Sequence, residues 1–169
     1  MSWVATWARL TRRVAASDLD ARLGDVERAL LDASTLISFH TPPERAYPLA
    51  VHLLGRVGSD ADPLRGYCSI VTAAEVLVRP VRAGHPEFSF MHEFLTRFPN
   101  LALLPADLTV AVQAATVRAA TGLPLPDAFT IASGLLAGCE AIVTNDDRWK
   151  RRCEPLFRQF HWVYLGDYL

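Results

Sequence analysis

The chain has 169 residues, a net charge of −1 and a hydrophobic fraction of 51%. That length suits one domain with its own core, and the near-neutral charge excludes a polycation that wraps nucleic acid, leaving room only for a local basic patch. No apolar run approaches the roughly 20 residues of a membrane span, and Arg9, Arg12 and Arg13 interrupt the opening "MSWVATWARLTRR" before a signal-peptide core can form. A cytoplasmic protein with no membrane attachment is expected. Cys68, Cys139 and Cys153 are widely spaced and form no C-x-x-C pair, which points to neither a disulfide framework nor a zinc site.

Residues 1–27 read as a helical extension, with caps in "ASDLDARLGD" and a stop at Gly24. A domain follows over residues 28–169. Its first strand, 28–31, ends at Asp32. "TPPERAYPLA" is turn-rich, and a short helical pattern covers 50–57. "CSIV", 68–71, reads as a second strand leading into a helix that opens at Thr72 and is ended or kinked by Pro80. Helix 87–98, strand 100–105 and helix 108–120 come next. The next helix begins near Asp127, with Ala128, Ile131, Ala132, Leu135 and Leu136 forming one apolar face. Strands at 141–144 and 162–165 complete the chain. Strands alternating with helices imply a three-layer α/β/α sandwich around a mostly parallel sheet.

Ligands of open α/β sheets collect at the carboxyl ends of the strands. Asp32 follows the first strand, Glu75 lies just after the second, Asp146 follows the fourth, and Asp127 opens a helix. Four carboxylates at one edge repel each other unless a cation joins them, and hard oxygen donors suit Mg²⁺ or Mn²⁺. Such ions can hold an attacking water and a leaving oxygen for displacement at phosphorus.

Each acid also has a structural reading. Asp32 and Asp146 fit helix N-caps, and Asp127 fits a first-turn acid facing the helix dipole. "TAAE", 72–75, fits a capping box in which Glu75 reaches back to Thr72. Cap and ligand are compatible roles.

"LLDASTLI", "SIVTAAEV" and "GLPLPDAFTIASGLLAGCEAIVTNDDRW", in this order, resemble a PIN domain of the VapC-like toxin ribonuclease type. The resemblance spans about residues 28–165. It implies the PIN-like fold and places Asp32, Glu75, Asp127 and Asp146 at the four acidic positions that bind Mg²⁺ or Mn²⁺ and catalyse RNA hydrolysis. Ser34 and Thr144 take the polar positions that support them. It further implies a metal-dependent endoribonuclease, an RNA substrate, a cognate antitoxin whose tail enters the acidic cleft, and a homodimer. Two departures stand out: 31 residues precede the first acid, and Trp149 stands where Phe is common. Asp147, beside Asp146, is expected to point elsewhere.

The run "RWKRR" follows the acid edge directly, so Arg148, Lys150, Arg151 and Arg152 are candidates for RNA-backbone contacts, with a solvated face as the alternative. The five histidines are scattered, and Trp3, Trp7, Trp149 and Trp162 read as core or interface anchors. A receiver-type phosphoacceptor domain would want an acid pair after the first strand and a late strand-end lysine; neither is present. A non-catalytic PIN-like module that binds RNA or protein is the remaining alternative, and the four acids argue against it.

Overall fold

The computed structural model describes residues 16–169. Five short strands, β1 (Arg28–Leu31), β2 (Arg65–Ser69), β3 (Leu101–Leu104), β4 (Ala141–Thr144) and β5 (His161–Tyr164), form one sheet in the order β3-β2-β1-β4-β5. Every neighbouring pair is parallel. Helix α1 (Ala16–Leu23) precedes the sheet; parallel neighbours need crossovers, and the other helices supply them: α2 (Ala33–Phe39), α3 (Tyr47–Val57), α4 (Ile70–Ala83), α5 (His85–Arg97), α6 (Leu108–Thr121), α7 (Leu125–Leu136) and α8 (Asp147–Arg152). A 3₁₀ turn over Leu165–Tyr168 ends the chain.

Strand side chains alternate between faces, and the two cores divide accordingly. Ala29 and Leu31 of β1 join Cys68, Val143 and Val163 in the core shared with α1 to α5. Leu30 joins Ile142, Trp162 and Tyr164 beneath α6, α7 and α8. Helix α7 lies close on the sheet at Gly134, where an added Cβ would sit 2.7 Å from Leu30 Cδ2. The three-layer expectation is met, with a sheet that is parallel throughout.

Several boundaries shift from the sequence reading by one to three residues, and the helices Ala33–Phe39 and Asp147–Arg152 are not assigned in it; two differences on α4 bear on the site. Strand β2 spans Arg65–Ser69, and Ile70 and Val71 already belong to α4. Two β-branched residues invite a strand assignment, but Ser69 caps the helix there, accepting from the Thr72 amide at 2.9 Å. The capping box at Thr72 is therefore replaced by a cap three residues earlier. Pro80 does not end the helix, which continues to Ala83. A proline interrupts one backbone bond and one turn, and the buried Pro80 lies in the last turn of α4, where little helix remains to be lost.

Part of the expected extension docks on the domain. Leu19 and Leu23 of α1 are fully buried in the first core. Arg22 Nε donates to the Trp162 carbonyl at 3.2 Å, and Asp20 pairs with His52 and Arg56. The rest of that segment, with Trp3 and Trp7, lies outside the described residues. Trp149 and Trp162 are buried in the second core, as core anchors should be.

Candidate active site

Chain order runs outward from β1 through β2 to β3, then returns to the other side of β1 with β4. The reversal puts a crevice outside the carboxyl ends of β1 and β4. Asp32 and Asp146 leave the sheet on either side of it. Glu75 approaches from α4, after β2, and Asp127 from the first turn of α7.

Asp32 is 7% exposed and caps α2 with extended backbone angles. Its Oδ2 accepts from Ser34 Oγ at 2.7 Å, from the Ser34 amide at 3.4 Å and from Thr144 Oγ1 at 2.9 Å. The two hydroxyls are themselves held from β4: the Asn145 amide donates to Ser34 Oγ at 2.8 Å, and the Asp146 amide to Thr144 Oγ1 at 3.0 Å. Ser34 and Thr144 thus tie the two strand exits together through one carboxylate oxygen. Burial raises the Asp32 pKa above its ordinary value, while these hydrogen bonds pull the other way.

Asp127 stands at the third position of α7, where a carboxylate also faces the helix dipole. Its Oδ2 is buried and accepts no hydrogen bond among the described residues. The Trp149 indole Nε1, also buried, lies close enough to favour the ionised carboxylate without closing a bond of normal geometry. Burial raises the Asp127 pKa; Arg148 lowers it, and the charges of Asp32 and Asp146 raise it again. Glu75 sits at the exposed rim of the crevice. Partial desolvation raises its pKa, followed by the charges of Asp32 and Asp127. Asp146 differs: the Arg148 guanidinium forks onto it and holds its pKa below the ordinary range. Asp146 also caps α8, accepting from the Arg148 amide at 2.9 Å.

The four acids predicted from sequence are therefore brought within each other's electrostatic reach. Among the described residues, no three acidic, histidine or cysteine side chains converge tightly enough to close on one ion. The donor set is nonetheless that of a hard divalent cation: carboxylate oxygens alone, one of them buried with no hydrogen bond. Asp147 points away and pairs with Arg151 at 3.5 Å, as expected.

The basic run divides. Arg148 turns into the crevice, where its guanidinium also approaches Asp127 Oδ2 at 3.7 Å. Lys150 pairs with Asp167 at 2.6 Å, and Arg152 donates to the Gly122 carbonyl at 3.1 Å.

Two features escaped the sequence reading. Ser69, Thr72 and Thr130 form a buried cluster of hydroxyls, with Ser69 3.0 Å from each threonine. Thr72 lies one turn before Glu75, and Thr130 one turn after Asp127, so the cluster pins one acid-bearing helix to the other. Ser69 three residues before Thr72 is a cap signal that could have been read; Thr130 becomes visible only through tertiary packing. The second is the backward turn of Arg148 onto the acids. Away from the acids, His40 is largely buried, with its Nε2 unpartnered among the described residues. It packs against the rings of Phe39, Phe90 and Phe94, and burial lowers its pKa to about 4.

Fold and crevice together define a parallel α/β domain with carboxylates converging at its topological switch point. The PIN domain family model matches residues 29–155, and the chain belongs to that family. No curated protein matches it significantly. Among solved structures, it is similar to a toxin–antitoxin complex from Klebsiella pneumoniae, with 19% identity and a TM-score of 0.58 over 81% of this chain and 97% of that one. It is also similar to VapBC2 from Rickettsia felis bound to a promoter DNA fragment, with 11% identity and a TM-score of 0.57 over 81% and 98%. The third is FitAcB from Neisseria gonorrhoeae, with 18% identity and a TM-score of 0.58 over 82% and 98%. These likenesses are likenesses of fold. Among the described residues, no helix is long and apolar enough to cross a membrane.

Proposed function

We propose that this PIN-domain protein is a Mg²⁺- or Mn²⁺-dependent endoribonuclease, the toxin of a toxin–antitoxin pair. The observation that carries the reading is electrostatic. Asp32, Glu75 and Asp127 come from three separate elements; burial makes the ionised form of each costly, and at Glu75 and Asp127 the charges of neighbouring acids add to that cost. A fold whose only task was to bind RNA would gain from neutral or basic groups at that edge.

Asp32, Glu75, Asp127 and Asp146 would hold the cation. Bound there, a divalent ion supplies Lewis acidity for attack of water on a phosphodiester. The chain's own residues do the positioning. Ser34 and Thr144 hold Asp32 by neutral donors, so its orientation is set while its full charge is kept. The Ser69–Thr72–Thr130 hydroxyls hold α4 against α7 and thereby the spacing of Glu75 from Asp127. Arg148, Lys150, Arg151 and Arg152 follow Asp146 directly in the chain and are the candidates for contacts to an RNA backbone.

The antitoxin reading is supported by what the similar structures are named for: two are a toxin–antitoxin complex and VapBC2. A largely apolar cavity of about 570 Å³ between α2, α4 and α5, lined by Ile37, His40, Val76, Phe90 and Met91 with Arg79 and Glu87, would offer an antitoxin helix a seat on α4, the helix that carries Glu75. The tail of such a partner would bring an arginine to the carboxylates. The toxin itself acts as a homodimer in this reading.

The test is direct. Purified protein cleaves RNA with Mn²⁺ or Mg²⁺ and stops in EDTA, and the Asp32→Asn protein does not cleave. Undiminished cleavage in chelator removes the metal mechanism; no cleavage under any metal leaves the non-catalytic binding module. In cells, expression arrests growth, Asp32→Asn does not, and a neighbouring antitoxin gene restores growth.

A further inference from the structure

We infer that Arg148 is a built-in competitor of the divalent cation, a guanidinium belonging to the chain itself that occupies Asp146 and reaches Asp127 until an ion displaces it. The inference rests on the metal-dependent reading above.

Three observations carry it. Arg148 forks onto Asp146, with Nε 2.9 and 2.8 Å from the two carboxylate oxygens and a further bond from Nη2. A capping turn alone would explain that much, because Asp146 and Arg148 are two residues apart. The second observation is not local. The same Nη2 lies 3.7 Å from Oδ2 of Asp127, which belongs to a different helix and otherwise takes no hydrogen bond among the described residues. The third is the contrast with the rest of the basic run. Lys150 and Arg151 pair with Asp167 and Asp147, and Arg152 binds a backbone carbonyl, so Arg148 alone of the four turns to the crevice.

A guanidinium and a divalent cation make incompatible claims on the same oxygens. Arginine binds carboxylate through fixed N–H directions in one plane. A divalent ion needs those lone pairs pointed at a single centre. Arg148 must therefore swing off Asp146 before that carboxylate can ligate. Its side chain is 53% exposed, so the swing meets no packed wall. The displaced guanidinium is then a free cation at the rim of the crevice, positioned for a phosphate oxygen of a bound strand. Arg148 is in this sense a positioning residue whose counter-ion changes with the state of the site.

The experiment measures Mn²⁺ binding to the full chain by titration calorimetry, with the bound fraction checked by electron paramagnetic resonance. Wild type, Arg148→Ala and Arg148→Lys are compared, each first verified as folded by circular dichroism and thermal melting. Arg148→Ala is expected to bind Mn²⁺ about threefold to tenfold more tightly, the range set by one half-exposed charge-assisted pair. Arg148→Lys, which keeps the charge but loses the fork, falls between. In the metal-free proteins Arg148→Ala melts lower, and added Mn²⁺ raises its melting temperature more than that of wild type. Unchanged or weaker Mn²⁺ binding in Arg148→Ala, with wild type binding normally, overturns the competition and leaves the metal reading standing. Absence of Mn²⁺ binding in all three proteins overturns both.

Discussion

Asp32 and Asp146 both follow a central strand and both cap the helix that comes next, yet they are held by opposite chemistry. Asp32 is buried and takes its hydrogen bonds from two hydroxyls and an amide. Asp146 is more open and is forked by a guanidinium. Burial raises the pKa of the first, and Arg148 lowers that of the second. Neutral donors orient a carboxylate without cancelling its charge; a guanidinium does both. The β1 exit is thus built to keep a charge available in a place where that charge is costly. The β4 exit carries its counter-charge with it.

The comparison breaks most sharply at Asp32. Asp32→Asn keeps a side-chain cap and relieves a buried charge, so the metal-free protein is expected to melt no lower than wild type. RNA cleavage should nevertheless fall to background in a gel assay. A large loss of stability would show that the Asp32 carboxylate charge supports the metal-free fold instead of straining it.

Thr144→Val comes next. It preserves shape but strips the hydroxyl that donates to Asp32 and accepts from the Asp146 amide. Leaving those partners unmet should cost about 1–3 kcal/mol in denaturant unfolding. Without this supporting hydroxyl, Mn²⁺ affinity should weaken about 10- to 100-fold. Equal Mn²⁺ affinity in both proteins would show that the two exits are not coupled through Thr144.

A smaller effect lies in the pH dependence of metal-free stability, and its sign differs between the two exits. Asp32 has an ordinary pKa of 3.8 and a raised one in the fold. It therefore binds its proton more tightly when folded, and stability falls as pH rises through the folded value. Glu75, starting from 4.5, and Asp127, from 3.8, act in the same direction. Asp146, lowered from 3.8, contributes stability above that value and loses it as pH falls through its folded pKa. Melting temperatures in EDTA across the acid range should show Asp32→Asn flattening the decline above pH 3.8. Asp146→Asn should alter only the acid limb. The same slope in wild type and Asp32→Asn would mean that burial at the β1 exit carries no charge penalty.

The smallest expected effect tests the β4 side beyond Asp146. Replacing both Arg151 and Arg152 by Ala should leave the fold unchanged and reduce the salt slope of RNA binding by about one for each phosphate that is no longer neutralised. An unaltered slope would place both residues on a solvated face.

Much of this organisation is legible in the amino-acid sequence. Acids after apolar strand segments, in a chain that alternates strands and helices, must gather at one sheet edge, because parallel pairing points all the carboxyl ends the same way. Asp32, Glu75 and Asp146 are read to that edge on this ground; Asp127 opens a helix instead of following a strand, and it is the motif resemblance that groups it with them. The N-caps at Asp32 and Asp146 are legible too, since a cap is a local event. What the chain alone does not determine depends on distance in space. Ser69 meets Thr130 across 61 positions, and Thr144 meets Asp32 across 112. No local pattern encodes either contact; both arise because the second core seats α7 and β4 against β1. The same holds for Arg148. Its place in a basic run predicts a cation facing solvent or an RNA backbone, and only the packing of α7 beside α8 decides that an acid from another helix is within its reach.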